Sequence, residues 1–211
     1  MKLYDANGIQ KITSVTAGRS LRYFKQAGTN PNECWYLAGA IGSGVALTTG
    51  APAVDVLHAI PFMAPRTGTI DALGIAVSTL AVLGKAKILI YNNTSDTVMY
   101  PSSLFAASAE FDTSTTGAKK DTSVSISIVK DTMYWFVYWT GTLAATIRSS
   151  AVAVMCSEFL GYDSSLTATA GSLGLQVATA YSSGSNPSTY PASATFLTAV
   201  PIPSMFYRFS T

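Results

Sequence analysis

The chemistry open to this chain is narrowed by its single histidine, His58, within Val56-Leu57-His58-Ala59-Ile60. Serine-based hydrolysis needs a base beside the nucleophile, and no Gly-x-Ser-x-Gly elbow occurs to present one. His58 therefore reads as a strand histidine whose ring is hydrogen-bonded. Glycoside hydrolysis would need two acids on facing elements. Asp55, Asp71, Glu110, Asp112 and Glu158 lie near expected strands, but nothing in their spacing marks two of them as a pair. Turns and edge protection account for most of them. Cys34 and Cys156 have no metal-ligand spacing and read as buried thiols. Gly39-Ala-Ile-Gly42-Ser-Gly44 is glycine-rich, yet no Lys and no expected helix follow it as a phosphate loop requires. The expectation is a non-enzymatic protein with no catalytic residues, no metal and no cofactor.

The elements that would carry any site are strands. Met133-Tyr134-Trp135-Phe136-Val137-Tyr138-Trp139 is too short for an ordinary helix and reads as a strand buried on both faces. Alternation puts Tyr134, Phe136 and Tyr138 on one face, and Met133, Trp135, Val137 and Trp139 on the other. Such a strand must lie mid-sheet, between two layers or against another subunit. Val56–Met63 is a further candidate. Leu73, Ile75 and Val77 alternate with Gly74, Ala76 and Ser78, a strand whose second face is small. Lys87–Tyr91 follows, closed by a turn at Asn92–Asp96, where Asn and Asp bond their own backbone. Val124, Ile126 and Ile128 alternate with serines. Later strands are expected at Ile147–Met155, around Leu173, Leu175, Val177 and Tyr181, and at Phe206–Phe209. No window of helical length holds a 3.6 period. The expected class is all-β, an antiparallel sandwich over residues 33–211.

Residues 1–32 read as a short N-terminal arm. Asn7-Gly8 suggests a small hairpin, and Gln26–Asn32 has the composition of a linker. Lys2, Lys11, Arg19, Arg22 and Lys25 against Asp5 give this arm +4, so the remainder of a +2 chain carries −2. That asymmetry suits docking onto an acidic surface. Arg19-Ser-Leu-Arg22-Tyr23-Phe24-Lys25 mixes bases with aromatics, but one such stretch falls short of a nucleic-acid patch. No apolar leader follows Met1-Lys2. The charge-free stretch from Cys34 to Val54 is broken by Gly39, Gly42, Gly44, Gly50 and Pro52, which argues against membrane insertion. Charged residues are 11% of the chain, below the roughly 25% of ordinary soluble domains. None lies between Asp163 and Arg208. A surface so poor in charge is expected to be covered by partners.

Certain phrases carry a resemblance. Ala46-Leu-Thr-Thr-Gly-Ala-Pro52 is followed by Ile60-Pro-Phe-Met-Ala-Pro-Arg66-Thr-Gly-Thr-Ile70-Asp71. Ile90-Tyr91, Tyr100-Pro101-Ser102, Tyr134-Trp135 and Ala199-Val-Pro-Ile-Pro203 come after. Together, from Trp35 onward, they resemble a recurring domain of tailed-bacteriophage virion proteins of the fibre or decoration type. The likeness implies a jelly-roll-like sandwich, commonly a homotrimer, assembled in the cytoplasm of an infected bacterium and resident in the virion. It further implies that the arm anchors to a capsid, tail or neck protein. It brings no functional residues with it. A second expectation is a receptor- or carbohydrate-binding module in which Trp139, Tyr181 or Tyr190 stacks on host-surface glycans.

Overall fold

The computed structural model describes residues 34–39, 47–141, 143–150, 174–197 and 202–210. The arm with its five basic residues, the Asn7-Gly8 hairpin, Cys156 and Glu158 lie outside them. No helix occurs among the described residues, so none is long and apolar enough to cross a membrane.

The described chain forms an antiparallel sandwich of two sheets. The first sheet has eight strands: β1 (Tyr36–Leu37), β2 (Leu47–Gly50), β4 (Gly68–Thr79), β8 (Gly117–Asp121), β9 (Ile126–Ile128), β11 (Thr146–Ser150), β14 (Ile202–Pro203) and β15 (Phe206–Phe209). The second has seven: β3 (Val56–Met63), β5 (Lys85–Ser95), β6 (Val98–Ala107), β7 (Phe111–Asp112), β10 (Met133–Thr140), β12 (Leu175–Ala178) and β13 (Thr195–Phe196). In the first, β4 is the hub, pairing with β15 and β11 and with β8 and β9.

In the second, the aromatic strand β10 is central, with β3 on one side and β5 on the other. Every one of its residues is buried, and the expected alternation holds. Tyr134, Phe136 and Tyr138 point between the sheets, meeting Ile60, Phe62, Ile88 and Ile90 of their own sheet. Ile70, Leu73, Ile75, Val77, Tyr207 and Phe209 close on them from the other. Phe62 is the joint, its ring edge-on to Phe136 at 4.9 Å and to Tyr207 at 5.1 Å. On the opposite face Trp135, Val137 and Trp139 join Leu57, Ala59, Leu89 and Tyr91 in a second cluster. What covers that cluster is this chain's own C-terminal part: Leu175 and Tyr190, with Val177, Tyr181 and Ala194 against them. Another subunit is not needed to bury it.

β3 and β15 match their expected bounds, and the small face of β4 is as read. Elsewhere local chemistry redraws the elements. The turn expected at Asn92–Asp96 is strand as far as Ser95, and the chain reverses at Asp96-Thr97. Register shifts against β6 explain this. They free the Asn93 amide, whose Oδ1 accepts from Trp135 Nε1 at 2.9 Å and from Tyr100 N at 3.1 Å. The alternating run before β10 pairs only from Ile126, because Asp121 diverts the chain. Its Oδ1 accepts from both Ser123 N at 2.9 Å and Ser123 Oγ at 2.6 Å, a turn made by side chain.

Trp135 has no exposed surface, so Trp135→Ala is expected to destabilise the fold by about 3–5 kcal/mol in denaturant titrations. A loss below about 1 kcal/mol would mean that the C-terminal cover is not closed over it.

Candidate functional site

The three aromatics proposed for sugar stacking do come together, but under a cover. Residues 179–194 cross the outer face of the second sheet as a strap. A bridge between Ser103 and Thr189 and bonds from Leu104 N to Ser188 O and from Tyr190 N to Ser102 O tie it to β6, each bond 2.8 Å. Tyr91 OH donates to Pro187 O at 2.8 Å, and Tyr100 OH to Pro191 O at 2.7 Å. Trp139 is 1% exposed, with its Nε1 donating to Thr179 O at 2.9 Å. Tyr190 is 3% exposed, edge-on to Tyr91 and Tyr100. Neither offers a ring face to a glycan, because each is needed to fill the layer beneath the strap. Tyr181 is half-buried, 4.8 Å from Trp139 between ring centroids, and its hydroxyl donates to Glu110 Oε2 at 2.8 Å. Burial, and then the bond to that carboxylate, push its hydroxyl well above the ordinary tyrosine range.

Lys87 holds the strap from below. It is 5% exposed, on β5 opposite Trp139, and its ammonium donates three hydrogen bonds upward. The acceptors are Ser182 O at 3.0 Å, Ser183 O at 2.8 Å and Asn186 Oδ1 at 3.0 Å. The Tyr181 and Trp139 ring centroids lie 5.6 and 6.0 Å from Nζ. Burial lowers its pKa, and the Glu110 charge partly opposes that. No sequence signal marked Lys87, since a lysine opening an apolar strand reads as a solvated end.

The described acids near the strands already have partners, and Glu110 and Asp112 share one. Asp71 pairs with Arg208 Nε at 2.8 Å, and Asp55 Oδ1 accepts from Tyr181 N at 2.8 Å. Lys85 lies 4.0 Å from Glu110 and 3.7 Å from Asp112. No group of three or more His, Cys, Asp or Glu able to hold a metal occurs among the described residues. His58 is fully buried, with its side chain between the sheets. Its ring, expected to be hydrogen-bonded, is so only weakly: the Ala53 backbone lies beside it, but neither ring nitrogen reaches full hydrogen-bond geometry. Two flanking strands saturate the backbone around it and leave mainly apolar side chains, so burial takes its pKa down to about 4 despite slight support from the Ala53 backbone.

A feature missed in the sequence lies on the outer face of the first sheet. Gly74 and Ala76 of β4 form the floor of a groove of about 200 Å³, flanked by Ala118 and Lys120 of β8 and by Phe206 of β15. Trp35 reaches over it, with Lys120 Nζ at 5.4 Å and Arg208 Cζ at 5.8 Å from its ring. A Cβ on Gly74 would stand 3.2 Å from Trp35 and 3.0 Å from Lys119 O, so a larger residue there would make the indole or β8 give by a few tenths of an ångström. The signal was the small face Gly74, Ala76, Ser78, which indicated a floor without saying what rests on it.

A second missed feature is one end of the sandwich, where β3 and β5 begin and β4 and β10 finish. Val54, Leu80, Val82, Leu83 and Leu143 all stand exposed at this end. Val82 at 69% and Leu83 at 77% are the most exposed large apolar residues described, and Leu83 is held at φ 63°. The chain enters the described part at Cys34, on the side of β1 nearer the opposite end. Comparison with known proteins adds no identity: no family model matches this chain, and no curated protein matches it.

His58 gives a pH dependence of definite sign. The unfolded chain takes up a proton near pH 6.5, whereas the folded one resists until about 4. Stability should therefore fall as pH drops through this window, by about 3 kcal/mol in all, and flatten below it. His58→Leu should remove that part of the slope in denaturant titrations at successive pH values, and an unchanged slope would place the effect elsewhere.

Proposed function

We propose that this chain is a non-enzymatic structural protein of a bacteriophage particle, of the fibre or decoration type. In this reading its jelly-roll-like sandwich self-associates as a homotrimer, and its N-terminal arm docks it to a capsid, tail or neck protein. The observation that carries the reading is the apolar end. Large apolar side chains exposed at one end favour a contact with another protein, and a symmetric oligomer is the usual way to cover them. The aromatic strand no longer supports the idea, because the chain covers that strand itself.

Light scattering should return about three times the 22.1 kDa chain mass at micromolar concentration. The double variant Val82→Asp, Leu83→Asp should return a single, still folded chain; a variant that stays trimeric would remove the apolar end from the interface. Deleting residues 1–25 should leave a folded trimer that no longer joins particles, and normal incorporation would refute docking through the arm.

The groove beneath Trp35 favours a second reading, a glycan-binding module of the virion. It is smaller than the roughly 300–1,000 Å³ of drug-sized pockets, with room for about one ring, and two cations stand beside its indole. Glycan-array binding lost in Trp35→Ala but kept in Tyr181→Phe would establish it; an array silent for the intact protein would end it.

A further inference from the structure

We propose that the groove beneath Trp35 takes an acidic sugar at the end of a glycan, one ring bearing one carboxylate, and that Lys120 selects the acid. This rests on the second reading above, that the groove binds glycans, and adds the class of sugar it selects. Register fixes the parts. Gly74 of β4 lies opposite Phe206 of β15 on one side and Lys120 of β8 on the other, so the three form one row across the sheet. Ala76 and Ala118, opposite each other, form the next row on the same face. The rows make a floor of small side chains with an apolar wall at Phe206 and a cation at Lys120. β8 pairs only with β4 among the described strands, so no neighbouring strand closes the groove past Ala118 and the rest of a glycan can leave there.

The charges nearby leave one cation at the groove without a counter-charge. Arg208 is answered by Asp71, Nε to Oδ1 at 2.8 Å. Asp121, next to Lys120 on β8, is 7% exposed and has both oxygens engaged by its own chain. Its Oδ2 accepts from Ala109 N at 2.6 Å, and its Oδ1 from Ser123 N and Oγ. Lys119 donates to Thr115 Oγ1. Lys120 is exposed and makes no hydrogen bond or ion pair among the described residues; its Nζ stands 5.4 Å from the Trp35 ring. An aromatic ring holds a cation near it without neutralising it, so this ammonium is both positioned and available.

A neutral sugar would gain apolar contact with Ala76, Ala118 and Phe206 and nothing from the charge. A carboxylate on the same ring adds a charge-assisted hydrogen bond to Lys120, and a basic sugar is repelled. The volume of about 200 Å³ admits one ring, so the acid and the apolar contact belong to a single sugar residue.

NMR titration of the full chain with glucuronate and with glucose tests this, because the two differ only in the carboxylate. Both should shift the Trp35 indole N–H signal, identified by its loss in Trp35→Ala. Glucuronate should bind about fivefold more tightly, the scale of one exposed ion pair. Lys120 is exposed, so its replacement leaves the fold intact. Lys120→Gln should bring glucuronate down to the level of glucose, Lys120→Arg should keep most of the preference, and high salt should erase it. A glycan ending in glucuronic acid should bind at least as tightly as the free acid. Equal binding of glucuronate and glucose, both lost in Trp35→Ala, would overturn the selection of acid and leave the glycan reading standing. A preference that survives Lys120→Gln would overturn the role given to that lysine. Silence toward both sugars and the glycan, or binding of the free acid alone, would end this inference and the glycan reading together.

Discussion

The structure depends on burying one strand from both sides. β10 places three rings into the space between the sheets and two tryptophans on the outside of its own sheet. A sandwich needs only the first of these, because two sheets enclose a single core. The second set leaves an apolar outer face that water would penalise at about 25 cal/mol per Å². A third layer is therefore obligatory, and the C-terminal part of the chain supplies it. That layer explains why the region is rich in Ser, Thr, Gly and Tyr and carries no charge. It lies flat on aromatics, hands its carbonyls to hydroxyl and indole donors beneath, and has little room for an ionic side chain.

Such a layer is a loop, and loops lack the ladder that fixes a strand. Its hold comes from polar donors rising out of an otherwise apolar face: Tyr91, Tyr100, Trp139 and Lys87, each to a strap oxygen. Of these Lys87 is the most demanding. A buried ammonium is tolerated only when its hydrogens are all matched, and here three oxygens match them. An apolar residue at this position would be easier to bury. The lysine gains in its place a fixed strap register, because three acceptors within five residues of chain leave the loop little freedom to slide.

Much of the fold was legible because period-2 alternation reports burial directly. β3, β15, the two faces of β10 and the small face of β4 all follow from the order of side chains. Where polar side chains replace backbone partners, that pattern fails. Asn93 lets β5 run on through a sequence that looks like a turn, and Asp121 stops a run that looks like a strand. β6 and β8 went unread because Pro101, the serines and Lys119-Lys120 break apolar alternation in strands that lie at the margins of their sheets. The site was less legible than the fold. Composition identified Trp139, Tyr181 and Tyr190 as a group, and they are one, but whether a ring faces water or a strap is decided by contacts 40 and 71 residues apart in sequence. Lys87 and Asn186 stand 99 residues apart, beyond the reach of any local pattern.

The internal cover also changes what the rest of the surface has to explain. Low charge over the C-terminal part, taken by itself, argues for partners; once that part is seen to be a layer of the fold, its composition is accounted for within one chain. What is left unaccounted for is smaller and sharper: Val82 and Leu83 at a strand reversal, where a polar pair would turn as well and Gly or Asn would bear the positive φ at less cost. Neither residue is described in either buried cluster, so the fold gains nothing visible from their apolarity. In the reading proposed above, a turn that accepts strain to display apolar side chains is a contact and not only a connection, and assembly then falls at one end of the sandwich and not on its aromatic face.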